Sequence, residues 1–222
     1  MRLPDTWSKA RVTVALVVVT AAAWLIATLF PLHDGAVVWG GFWPGPQRYL
    51  YGDSGGAFAP LWLTPLTATL IHDGPIHLLF NLVILAFCGR PVESVLGPVA
   101  FVLLYLLGAY AAAGAQYAVS PLAAAPMVGA SGAISAIIGA YAMLFGRNKV
   151  KVANPTLALW LNALWLMAAW VVLQLCMGIA LAGADFLFSG EGVQVAVAAH
   201  IGGFVVGLLL ANPLLLFRYR KA

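Results

Sequence analysis

Charge is what this sequence has least of. Asp, Glu, Lys and Arg make up 8% of it, whereas 63% is hydrophobic; a soluble globular domain carries about 25% charged residues. No soluble fold of 222 residues hides that much apolar surface, so lipid must be the solvent and an ordinary soluble enzyme is excluded. The net charge of +4 is not arranged for nucleic acid. Its basic residues stand in short clusters between apolar runs, without the basic stripe and interleaved aromatics that a nucleic-acid groove needs. Cysteine is scarce too: Cys88 and Cys176 both fall in apolar runs and read as core packing, not as a disulfide or a metal site. Internal repeats, low-complexity tracts and a soluble second domain are absent, so residues 1–222 read as a single transmembrane domain.

What is there is a set of six apolar runs, at about 12–30, 75–95, 98–118, 127–146, 157–182 and 193–216. Each approaches the roughly 20 residues that span a bilayer as a helix. The first exceeds the usual h-region of about 7–15 residues and is followed by no small-x-small cleavage site, so it reads as a retained helix rather than a signal peptide. Gly97-Pro98 separates the second and third runs, and Asp73-Gly74-Pro75 reads as a turn followed by a helix start. With the N-terminus placed inside, Arg2, Lys9, Arg11, Arg90, Arg147, Lys149, Lys151, Arg218, Arg220 and Lys221 are inside. Arg48 then lies outside with Asp34, Asp53, Asp73, Asp185 and Glu191. The positive-inside rule therefore predicts an all-α membrane protein of six helices with both termini inside. Residues 31–74 become a long external first loop, rich in Gly, Pro and aromatics including Trp39, Trp43, Tyr49, Tyr51 and Trp62. Trp and Tyr favour the headgroup level, so a partly structured loop in the outer interface is expected; its His33 and His72 are explained by exposure alone.

Polar groups in hydrocarbon are costly and turn toward the bundle interior. The second run opens "IHLLFN", with His77 and Asn81 four apart on one helix face. The fourth carries Ser131 and Ser135, the fifth Asn162 and Gln174, and the sixth His200. At 1.5 Å per residue, Ser131 is expected about one turn into its helix and His200 roughly 10 Å below the start of its own. His77, Asn81, Ser131 and His200 would then share the outer half of the membrane. A serine becomes a nucleophile when a neighbouring base takes its proton, and His200 can be that base. No Asp or Glu lies in a span at matching depth, so the sequence permits a Ser-His dyad rather than a triad. The oxyanion then needs preorganised donors; Asn81, His77 and the Ser131 backbone N–H are the candidates. Gly129 and Gly132 flank Ser131 and allow bending or close approach. Gly203 and Gly207 form a small-xxx-small pair for a tight helix contact.

"HLLFN" on the second helix, "GASGAISA" on the fourth and "AHIGGFVVG" on the sixth, in that order along six helices, resemble the rhomboid intramembrane serine proteases from about residue 60 to 210. The resemblance implies a rhomboid-like bundle in which Ser131 is the nucleophile, His200 the general base, and His77 and Asn81 oxyanion donors, with His72 a further histidine near the site. It implies cleavage of transmembrane protein substrates near the outer face, sideways admission near the second and fifth helices, and no metal or organic cofactor. Two features depart from the family pattern. Many members carry a Trp-Arg pair in the first loop; here "LWLTPLTA" has Trp62 without the Arg. Some place a Tyr one turn after the serine, against the histidine; here Ser135 stands there, so another group must hold the His200 ring.

Taken singly, Ser131 reads as a small residue at a helix contact, His77 and Asn81 as a helix-start pair facing water, Gln174 and Asn162 as packing or interfacial groups, and Trp165 and Trp170 as packing. The alternative to a protease is a catalytically silent relative that binds membrane proteins in quality control. A small transporter would need paired repeats or broken helices at the midplane. The Ala-rich, short-tailed form points to a bacterial plasma membrane.

Overall fold

The computed structural model describes residues 10–45, 58–146, 154–182 and 196–219. Of the charges behind the expected orientation, Arg2, Lys9, Arg48, Asp53, Arg147, Lys149, Lys151, Asp185, Glu191, Arg220 and Lys221 lie outside the described residues, as do Tyr49, Tyr51 and residues 193–195 of the last run. Among the described residues, the helices of eight or more residues are α1 (Arg11–Leu29), the short α2 (His33–Gly40), α3 (Pro75–Leu96), α4 (Pro98–Val119), α5 (Ser131–Phe145), α6 (Pro155–Ala182) and α7 (Val197–Tyr219). All but α2 and α5 are long and apolar enough to cross a membrane.

Local sequence sets several of these boundaries. Gly97, at φ 81°, ends α3 with its N–H on Glu93 O, a positive-φ backbone that glycine adopts without a Cβ penalty. Pro98 then opens α4 in the first turn, where a missing N–H costs nothing. Inside α3, Pro91 removes a donor and crowds the carbonyl four residues back. The helix accommodates this by opening into a π turn over Leu85–Gly89. One turn later Glu93 is buried, and its carboxylate accepts from Val12 N at 2.9 Å, Thr13 N at 2.7 Å and Thr13 Oγ1 at 2.7 Å. These are donors at the N-terminus of α1, which no intrahelical carbonyl can reach and which favour an anion.

The core is built around α5. Every residue from Ser131 to Ala140 is buried, and a helix apolar on all sides must be surrounded; α3, α4, α6 and α7 pack on it. Glycine lets the backbones meet. A Cβ on Gly203 would collide with the carbonyl oxygen of Gly132, one on Gly207 with that of Ala136, and one on Gly139 with that of Phe204. Thus α5 and α7 touch main chain to main chain, as small-residue stripes permit. Gly132 faces α4, where its Cβ would lie 2.5 Å from Ala112 Cβ.

The structure corrects four expectations. The fourth helix, expected over 127–146, begins only at Ser131. Residues 127–130 spend their backbone groups elsewhere: Met127 and Phe42 exchange two hydrogen bonds of 2.8 and 3.0 Å, and Gly129 N donates to Ala68 O at 2.9 Å. Gly129 has φ +108°, outside any helix. Ser131 is therefore the first helical residue, not a turn inside. Likewise α7 starts at Val197, so His200 lies in its first turn, about 4.5 Å along rather than 10. His72 is fully buried, and His33 is half-buried with Nε2 3.1 Å from His72 O, so neither is explained by exposure. Cys176 is exposed, whereas Cys88 is in the core.

The described part of the first loop is held without a Trp-Arg pair. Tyr110 OH donates to Trp62 O at 2.7 Å while the Trp62 side chain stays exposed. Thr67 Oγ1 donates to Gly40 O at 2.6 Å.

Candidate active site

Ser131 opens α5 directly after the Gly129 kink, and four positions into α7 stands His200. Their side chains meet: His200 Nε2 is 2.8 Å from Ser131 Oγ, across 69 residues of chain, and both residues are buried. The glycine contacts between α5 and α7 explain the approach. Backbones this close let a two-atom serine side chain reach an imidazole on the neighbouring helix.

His77 reaches the same place from α3. A Cβ built on Gly129 would be 2.8 Å from His77 Cε1, 3.0 Å from His77 Nε2 and 3.8 Å from Ser131 Oγ. The missing side chain is what makes room for the ring beside the serine. Asn81, one turn further along α3, is buried, and its Nδ2 donates to His77 O at 2.9 Å. An amide carries two N–H donors, so one remains available.

His72 supports the turn before Ser131. Its Nε2 accepts a long hydrogen bond from Ala130 N at 3.4 Å, and its ring packs edge-on to His77 with centroids 5.0 Å apart. Burial, with the His77 ring as the smaller cause, pushes the His72 pKa down to about 3. The ring is therefore neutral at ordinary pH and able to accept.

Three further residues belong to the cluster: Trp170, Gln174 and Ser135. Trp170 and Gln174, four apart on α6, both reach His200. Gln174 Nε2 is 3.3 Å from His200 Nε2, and the Trp170 ring lies edge-on to the imidazole with centroids 6.1 Å apart. Trp170 Nε1 donates to Ser135 Oγ at 2.8 Å, and Ser135 Oγ donates to Ser131 O at 2.7 Å. The other ring face of this neighbourhood is Phe80, stacked on Trp170 at 5.8 Å and 11°. The readable signal was the i, i+4 spacing of an indole and an amide on an otherwise apolar span. Trp165 is exposed, and Asn162 is buried against Gly146, away from this cluster.

The rhomboid domain model matches residues 59–217. The chain is 30% identical over 144 residues to rhomboid protease GlpG of Haemophilus influenzae, covering 65% of each chain. It is 29% identical over 153 residues to rhomboid protease GluP of Bacillus subtilis, covering 69% of this chain and 26% of that one. It is 28% identical over 194 residues to rhomboid-related protein 2 of Mus musculus, covering 83% of this chain and 62% of that one. The chain thus spans less than two thirds of each relative's length, and the relatives come from animals as well as bacteria. A domain match over most of its length, together with five helices among the described residues that are long and apolar enough to span, makes this a multi-pass integral membrane protein that belongs to the rhomboid family.

Proposed function

We propose that the chain is an intramembrane serine endopeptidase that cuts transmembrane protein substrates near the outer membrane face with a Ser131–His200 dyad. The observation that carries this reading is the 2.8 Å separation of His200 Nε2 and Ser131 Oγ, within the distance at which a base can take a proton. Relatives whose names describe them as rhomboid proteases support it.

In the reaction, Ser131 gives its hydroxyl proton to His200 Nε2 while Oγ bonds to the scissile carbonyl carbon. The tetrahedral oxyanion is held by His77, the free Asn81 N–H and the Ser131 backbone N–H. As the first residue of α5, Ser131 presents an N–H with no acceptor inside its own helix, at the positive end of the dipole. The C–N bond then breaks, and His200 returns the proton to the departing amine. Water attacks the acyl ester, His200 takes its proton, and Ser131 Oγ leaves as the hydroxyl. Gly129, Gly132, Gly203 and Gly207 supply the close approaches that bring these groups together. The substrate helix enters between α3 and α6, at the seam that Phe80 and Trp170 close.

This reading takes the chain as one unit of six spans, α5 being the short one, with both termini on the cytoplasmic side of a bacterial plasma membrane. The Lys and Arg distribution supports the orientation.

The test is reconstitution with a type I membrane substrate, comparing wild type with Ser131→Ala and His200→Ala. Cleavage by wild type, lost in both variants, is expected. An inert wild type, or cleavage that survives Ser131→Ala, sinks the proposal. A fluorophosphonate should attach at Ser131 and fail to attach in His200→Ala.

A further inference from the structure

Among the described residues no carboxylate stands behind His200. Its Nδ1 is buried with no hydrogen-bond partner among the described residues. An imidazole held only at Nε2 can swing about χ2, a torsion with broad wells. The groups that limit that swing come from α6: the Trp170 ring against the imidazole and the Gln174 amide beside Nε2. Trp170 is itself fixed by its indole N–H on Ser135, whose hydroxyl is in turn bonded to the carbonyl of Ser131. The chain of contacts leaves the nucleophile's own backbone, crosses to α6, and returns to the base.

We propose that Trp170, anchored by Ser135, is the positioning residue that holds the His200 ring against Ser131. The inference rests on the protease reading given above. Proton transfer needs a heavy-atom distance of about 2.6–3.2 Å, and a ring freed from Trp170 leaves that range by rotation alone.

The experiment uses the purified full chain in micelles, with rates expressed per folded molecule from thermal unfolding. Ser135→Ala, Ser135→Thr, Trp170→Phe and the exposed control Trp165→Phe are compared by fluorophosphonate labelling and by kcat and KM on a transmembrane-segment substrate. Ser135→Ala and Trp170→Phe should lower the labelling rate and kcat about tenfold or more, with KM within about twofold. Ser135→Thr keeps the hydroxyl and should restore both rates, and Trp165→Phe should match wild type. Labelling at the wild-type rate in Ser135→Ala and Trp170→Phe overturns the clamp and leaves the protease reading standing. A wild type that does not label overturns the protease reading instead. The clamp is then judged by the 15N imidazole signals of His200, assigned with His200→Ala: a shift in Trp170→Phe upholds it, and unchanged signals overturn it.

Discussion

Gly129 lies against His77 so closely that a Cβ would come within 2.8 Å of Cε1 and 3.0 Å of Nε2, and its φ is +108°. Both facts bar any other residue. Gly129→Ala is expected to lose about 1–2 kcal/mol of stability from backbone strain and to push the His77 ring out of place. Turnover should fall by at least about tenfold, more than the folded fraction does. Normal turnover in a folded Gly129→Ala protein would remove His77 from the site.

Asn81 has one N–H on His77 O, and the other is assigned to the oxyanion. Loss of one such donor costs about 10²–10³ in rate. Asn81→Ala should therefore show a kcat lower by that order with expression and KM little changed, and Asn81→Asp, which has no donor, should do no better. Steady-state kinetics decide it; a kcat equal to wild type excludes the role.

Glu93 ties α3 to the start of α1 through three hydrogen bonds. Removing the carboxylate strands buried donors, and bonds to charged groups are worth about 1.5–3 kcal/mol each. Glu93→Ala should cost about 3 kcal/mol or more, and Thr13→Val, which loses only the hydroxyl, about half of that or less. Unfolding in detergent measures both. Equal stabilities for Glu93→Ala and wild type would show that the carboxylate contributes nothing net.

The depressed pKa of His72 has a sign that can be tested. Above its unfolded value of 6.5 the ring is neutral in both states, and His72 contributes fully. As pH falls below 6.5 toward about 3, the unfolded chain takes up a proton that the folded ring refuses, and stability drops by up to about 1.4 kcal/mol per pH unit. His72→Gln lacks this term. The stability advantage of wild type over His72→Gln should therefore shrink between pH 7.5 and pH 5, measured by thermal unfolding. A gap that stays constant contradicts the assignment.

Much of the helical architecture was legible because hydropathy and helix termination are local properties. The Gly97-Pro98 break and the start at Pro75 follow from backbone restrictions at those residues alone. The start of α5 was not legible. Residues 127–130 are as apolar as the helix they precede, and only their hydrogen bonds to Phe42 and Ala68 keep them out of it. Burial of His72 was equally hidden, since nothing in its neighbours along the chain says that Ala130 and His77 will cover it.

The site divides the same way. Ser131, His200, His77 and Asn81 pointed to chemistry only as a set, each being ordinary when taken singly. Ser135 and Gln174 were equally visible as polar groups in apolar runs, but they and the Trp170 indole gain meaning only from what they touch. The order of residues along the chain thus determined which long segments are helical, the breaks at Pro75 and Gly97-Pro98, and which polar groups lipid would force inward. Tertiary structure alone decided which of those groups meet. Contacts across 69 residues between Ser131 and His200, or 35 between Ser135 and Trp170, depend on how close two backbones come. That closeness is set by the joint packing of small residues on several helices, which no single stretch of sequence contains.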